Sequence, residues 1–111
     1  MTQPNDIDAR TLQEMLERGE RVTLVDVRRR EQHAQGSIPG SMNFDAYDAL
    51  KAGDERAMEG LKLPDGVRVV TYCNRGTSGG VAAEQLRRRG YEAQSLEGGL
   101  EAWKGFQSAR A

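Results

Sequence analysis

Cys73 is the residue of this 111-residue chain best placed to do chemistry. It is the single cysteine, and it stands where the largely β-branched run Val67-Arg68-Val69-Val70-Thr71-Tyr72 gives way to a glycine-bearing segment, CNRGTSGG. The thiolate, not the thiol, is the nucleophile, and its formation is favoured near a helix N-terminus. The free N–H groups of a first helical turn bind anions, and a curved loop of successive amides adds a concave nest for negative charge. Gly76, Gly79 and Gly80 remove side chains that would obstruct such a loop. Thr77 and Ser78 offer hydroxyl donors and N-cap chemistry, and Arg75 adds a nearby positive charge. A lone cysteine is often buried and inert. The position of Cys73 between a strand and a helix start argues instead for a nucleophile in an anion-cradling loop.

Three chemistries compete for such a cysteine. A cysteine-based phosphatase normally adds an arginine six residues on, to clamp phosphate bidentately; that position is Gly79. A Cys–His hydrolase would need His33, the only histidine, which lies in the polar stretch REQHAQG and reads as a surface or second-layer residue. A zinc site is not supported by one cysteine and one histidine.

Helices and strands must hold that loop in place. Asp8 can cap a helix to about Arg18, with Leu12, Met15 and Leu16 as its apolar stripe and Gly19 as its stop. Val22 to Val27 reads as a buried strand. Residues 36–41, GSIPGS, are loop chemistry, and a polar helical stretch is expected within 45–60. Val67 to Tyr72 is the second strand. A helix from about Ser78 to Arg89 follows, with Val81, Ala82, Ala83 and Leu86 on its apolar side and Gly90 closing it. Tyr91 to Leu96 can form another strand, and residues 97–106 suggest a tight turn and a final short helix. Strands alternating with crossover helices predict an α/β domain with a parallel sheet, whose chemistry sits at the carboxyl ends of the strands.

Length and composition bound the partners. The size fits one domain. The net charge of -1 and mixed signs lack the basic stripe of a nucleic-acid binder. The runs Arg28-Arg29-Arg30 and Arg87-Arg88-Arg89 are short, flanked by acids and expected to be solvated. No apolar stretch approaches the roughly 20 residues that span a bilayer, so no membrane partner is expected. The start MTQPNDIDAR shows no secretory pattern, and a lone cysteine forms no intrachain disulfide, which together favour a reduced, cytoplasmic setting.

Three blocks carry a family resemblance: LVDVRRREQHAQGSIPGSMN from Leu24, VVTYCNRGTSGGVAAEQLRRRGYEA from Val69, and LEGGLEAWKG from Leu96. In this order and spacing the chain resembles the rhodanese-like sulfurtransferases. The resemblance implies one domain over residues 8–107, with short extensions at 1–7 and 108–111, and a parallel sheet of about five strands flanked by helices on both faces. It further implies that Cys73 attacks the outer sulfur of a donor such as thiosulfate. The resulting persulfide would hand its sulfur to cyanide, a thiol or a protein such as thioredoxin or a sulfur carrier, with no cofactor and no metal. The amides of Asn74, Arg75, Gly76, Thr77, Ser78 and Gly79 would bind the thiolate and persulfide anions. Asp26 and Arg28 match the family's Asp-x-Arg and read as an ion pair that braces the loop. Gly98, Gly99 and Trp103 match the closing block, with Trp103 expected in the core or a pocket wall. Many members carry Arg where this chain has Ser78, and His where it has Ser37. The pattern Cys-x-x-Gly-x-Ser is similar to that of short bacterial single-domain members associated with glycerol metabolism. The loss of the loop arginine also raises a second expectation, a non-catalytic binding or regulatory module.

Overall fold

A computed structural model describes residues 5–110. In chain order the elements are β1 (Asp6–Ile7), α1 (Ala9–Glu17), β2 (Val22–Asp26), α2 (Arg30–Gln35), β3 (Met42–Asn43), α3 (Tyr47–Lys51), β4 (Arg68–Tyr72), α4 (Thr77–Arg88), β5 (Glu92–Leu96) and α5 (Gly99–Arg110). The strands form a five-stranded sheet in the order β1-β5-β4-β2-β3, and every pairing is parallel. The α/β class and the parallel sheet are as expected.

Local chemistry explains the main elements. Asp8 caps α1, its carboxylate accepting from the Thr11 amide at 2.8 Å, and Gly19 leaves the helix at φ +75°. Strand alternation sorts the core into two layers. Val69 and Cys73 face α3 and α4, where they join Val25, Leu50, Ala82, Ala83 and Leu86. Val70 and Tyr72 face α1 and α5, with Leu12, Met15, Leu24, Leu96, Leu100 and Trp103. Cys73 therefore emerges from β4 on the α4 side, and Trp103 is a core residue of the opposite layer.

The differences from the sequence expectations are local. The helical stretch expected within 45–60 is present and short, Tyr47–Lys51, because Gly53, at φ +77°, turns the chain after α3. The helix α2 was not anticipated; it buries no residue, so no apolar stripe marks it. The strands β1 and β3 have two residues each, too few to show a period. β1 lies ahead of residue 8 and pairs with β5, and α5 continues past residue 107; residues 1–4 and 111 lie outside the described part of the chain. Among the described residues, no helix is long and apolar enough to cross a membrane.

The topology contains a switch point. From β2 the chain proceeds to β3 on one side, and from β4 to β5 on the other. The loops after these adjacent strands diverge, which opens a crevice at their carboxyl ends. Both the Arg28 segment and the Cys73 segment begin there.

Candidate active site around Cys73

The Cys73 side chain is 5% exposed and sits at the C-terminal end of β4. Its Sγ accepts from the Gly76 amide at 3.1 Å and the Gly79 amide at 3.2 Å. Gly76 stands at the N-cap of α4 with φ +110°, a conformation that favours glycine. Gly79 is favoured by close backbone contact: a Cβ there would lie 3.1 Å from Tyr72 Cα and 3.2 Å from the Cys73 nitrogen. The same tight contact disfavours a side chain at position 79, where a phosphatase would carry its clamping arginine. Thr71 Oγ1 donates to the Gly79 carbonyl at 2.7 Å and ties the first turn of α4 to the strand.

The loop carbonyls are held from the other side. Leu100 N donates to Cys73 O at 2.8 Å, and Glu101 N to Asn74 O at 3.0 Å. Gly98 and Gly99, at φ +73° and +61°, bring the start of α5 this close. A Cβ on Gly99 would run into Cys73 O, and into the carbonyl of Asn74 at 2.7 Å. The turn 97–99 is thus a brace that fixes the outward direction of two loop carbonyls. The sequence marked the turn but not this use of it.

A second brace comes from the loop after β2. Asp26 pairs with Tyr72 in the sheet register, which sets Arg28 beside Asn74. The Arg28 guanidinium holds the Asp26 carboxylate through Nε at 3.0 Å and Nη2 at 2.7 Å, and donates to Asn74 Oδ1 at 3.3 Å and Gly36 O at 2.7 Å. Asp26 is fully buried and Arg28 is 4% exposed. The expectation that the run 28–30 is solvated is therefore wrong at Arg28, because a buried carboxylate needs a charged partner. Burial pushes the Asp26 carboxyl up. Hydrogen bonds from the Arg28 side chain and amide and from His33 outweigh it and hold the group below the usual carboxylate range. His33 Nδ1 is 2.9 Å from Asp26 Oδ2. A carboxylate only accepts, so Nδ1 carries the hydrogen, and His33 is a second-layer residue that braces Asp26. Tyr72 extends into the other core layer, where its hydroxyl accepts from the Ile38 amide at 3.1 Å and lies 2.7 Å from Ser41 Oγ.

Above Cys73 is a pocket of about 350 Å³. One wall is Tyr47 and Lys51 of α3; the other is Cys73, Asn74, Arg75, Thr77 and Ser78. Ser78 is buried and Thr77 exposed. Arg75 turns outward: its Nε pairs with Glu101 at 3.2 Å, with most of both side chains in solvent. It is not a direct partner of the sulfur. Sequence reasoning missed Tyr47 and Lys51. Their i, i+4 spacing within a helical stretch was the available signal, since it puts an aromatic ring and a cation on one helix face.

The arrangement is a nucleophile at the base of a pocket, with amides converging on its sulfur and two braces on its loop. It suits an anionic sulfur before and after a transfer. Known proteins show the same architecture. The family described as Rhodanese-like domain matches residues 8–106. A protein of Allochromatium vinosum named sulfurtransferase is 32% identical over 100 residues, covering 89% of this chain and 87% of that protein. Among solved structures, the human single-domain sulfurtransferase TSTD1 is 28% identical at a TM-score of 0.71, covering 93% of this chain and 97% of that one. The rhodanese-like domain of an Anabaena protein is 30% identical at a TM-score of 0.73, covering 94% of this chain and 76% of that one. With the fold, the β4–loop–α4 site and these likenesses in agreement, the chain belongs to the rhodanese-like domain family.

Proposed function

We propose that this protein is a sulfurtransferase that moves a sulfane sulfur from a thiosulfate-type donor to a thiophilic acceptor through a persulfide on Cys73. Sulfur transfer in general is supported by family membership and by the names of its relatives. The observation that carries the persulfide step is the pair of amides, from Gly76 and Gly79, aimed at Cys73 Sγ.

In the first half-reaction the Cys73 thiolate attacks the outer sulfur of thiosulfate. A Cys–S–S bond forms, the donor's S–S bond breaks, and sulfite leaves with the electron pair. The charge passes to the outer persulfide sulfur, near the loop amides and the start of α4. In the second half-reaction an acceptor, such as cyanide or a thiolate, attacks that outer sulfur. The Cys–S–S bond breaks and the thiolate returns to its two amides. This is covalent catalysis, with ping-pong kinetics as its signature. A cytoplasmic setting, and a protein thiol such as thioredoxin or a sulfur carrier as acceptor, fit the same reading.

The test is the intact mass after incubation with thiosulfate. The expected result is a gain of one sulfur atom that a reductant removes and that Cys73→Ser abolishes. No gain, or a gain that survives Cys73→Ser, would sink the reading and favour a binding module.

A further inference from the structure

The pocket above Cys73 has two cationic side chains in its wall, Lys51 and Arg75. Their charges are not equally available. Arg75 is paired with Glu101 at 3.2 Å. Lys51 is in none of the ion pairs formed among the described residues. Its Nζ instead lies 5.5 Å from the centroid of the Tyr47 ring, a cation–π contact that restrains the ammonium without neutralising it. The ring is itself anchored: the Arg29 guanidinium lies over it at 4.7 Å and pairs with Asp48 at 2.9 Å. The helix α3 thus presents a positive charge outside any of these ion pairs, across the pocket from a loop whose own cation, Arg75, is turned outward and shared with Glu101 in an exposed pair.

Resting on the sulfurtransferase reading, we propose that Lys51, positioned by Tyr47, is the donor-specificity residue. Its ammonium binds the anionic sulfonate end of a small thiosulfate-type donor, while the outer sulfur faces Cys73. The division of labour follows from the walls of the pocket. The amides of Gly76 and Gly79 serve the reacting sulfur, and the opposite wall serves the group that leaves as sulfite. A cation that meets the donor in the ground state and as it departs contributes mainly to KM, not to kcat.

The first measurement uses Cys73→Ser protein, which cannot take up sulfur, and titrates it with thiosulfate by calorimetry. Adding Lys51→Gln should weaken binding on the order of fivefold, within the range for partly exposed charge contacts, and Lys51→Arg should retain it. In protein with Cys73 intact, Lys51→Gln should raise the KM for thiosulfate by a similar factor, with kcat held. It should change the discharge of a preformed persulfide by 2-mercaptoethanol, which carries no sulfonate, by less than it changes the KM for thiosulfate. Equal thiosulfate binding with and without Lys51→Gln, or no detectable binding to the Cys73→Ser protein, overturns the role of Lys51. Either result does so whether or not the enzyme turns over. Failure of intact Cys73 to gain sulfur from thiosulfate overturns the sulfurtransferase reading instead.

Discussion

At the residue scale the site depends on one buried ion pair as much as on its nucleophile. Arg28 satisfies Asp26 and reaches Asn74 and Gly36 with the same guanidinium. Removing one partner of a buried pair leaves a charge uncompensated and costs about 3–5 kcal/mol. Arg28→Met should therefore destabilise by about that amount in guanidinium unfolding, and Asp26→Asn added to it should recover part of the loss. A double variant no more stable than Arg28→Met would show that packing, not charge, dominates. Cys73 was legible in the sequence because its type is chemically conspicuous and a strand ends on it, while Asp26 and Arg28 were marked by the family resemblance and by the need of a buried charge for a partner. Lys51 and Tyr47 were not, because a lysine on a polar helix looks like any solvated residue until the topology brings α3 over the β4 loop.

At the element scale the loop is gripped between two helix starts. The start of α4 supplies amides to the sulfur, and the start of α5 supplies amides to the loop carbonyls. Two glycines of α5 separate the effect of this grip from that of helix propensity. Gly99→Ala forces a Cβ against the Cys73 and Asn74 carbonyls at φ +61°. It should lower sulfur transfer at least tenfold and cost more than about 1 kcal/mol. Gly105→Ala, where a Cβ meets nothing within 4 Å, should stabilise by roughly 0.5–1 kcal/mol with activity kept. Thermal unfolding and turnover of both variants check this; similar behaviour at the two positions would contradict the brace. The strands β2 and β4 could be read ahead as apolar, β-branched runs, β5 from its place between Gly90 and the turn at 97–99, and the helices α1 and α4 from their apolar positions and glycine stops. The elements β1, β3 and α2 are short or unburied, and only sheet pairing and the contacts of their neighbours reveal them.

At the scale of the whole molecule, buried titrating groups shape the dependence of stability on pH. The folded Asp26 carboxyl is held below its ordinary value by its hydrogen bonds, against the upward push of burial, while in the unfolded chain it titrates near ~3.9. Its stabilisation is complete above that value and is lost as pH falls through the lower folded pKa. Tyr72 is raised by burial, so its contribution is complete below the unfolded value of ~10 and is lost as pH rises through the folded pKa. The thermal midpoint should fall at both extremes. Asp26→Asn should flatten part of the acid limb and Tyr72→Phe part of the alkaline limb; a limb unchanged by its variant would assign it to other groups. Alternation of strands and helices made the parallel sheet legible at this scale. The strand order, and with it the switch point between β2 and β4, was set by how the helices cover two faces, which no local period encodes. The brace from α5 adds a dimension of time. A chain is synthesised from its N-terminus, so Cys73 leaves the ribosome before the segment whose amides hold its carbonyls. Until that last helix docks, the Cys73 and Asn74 carbonyls lack the Leu100 and Glu101 amides that hold them, so the loop that carries the nucleophile is completed by the last element to be made.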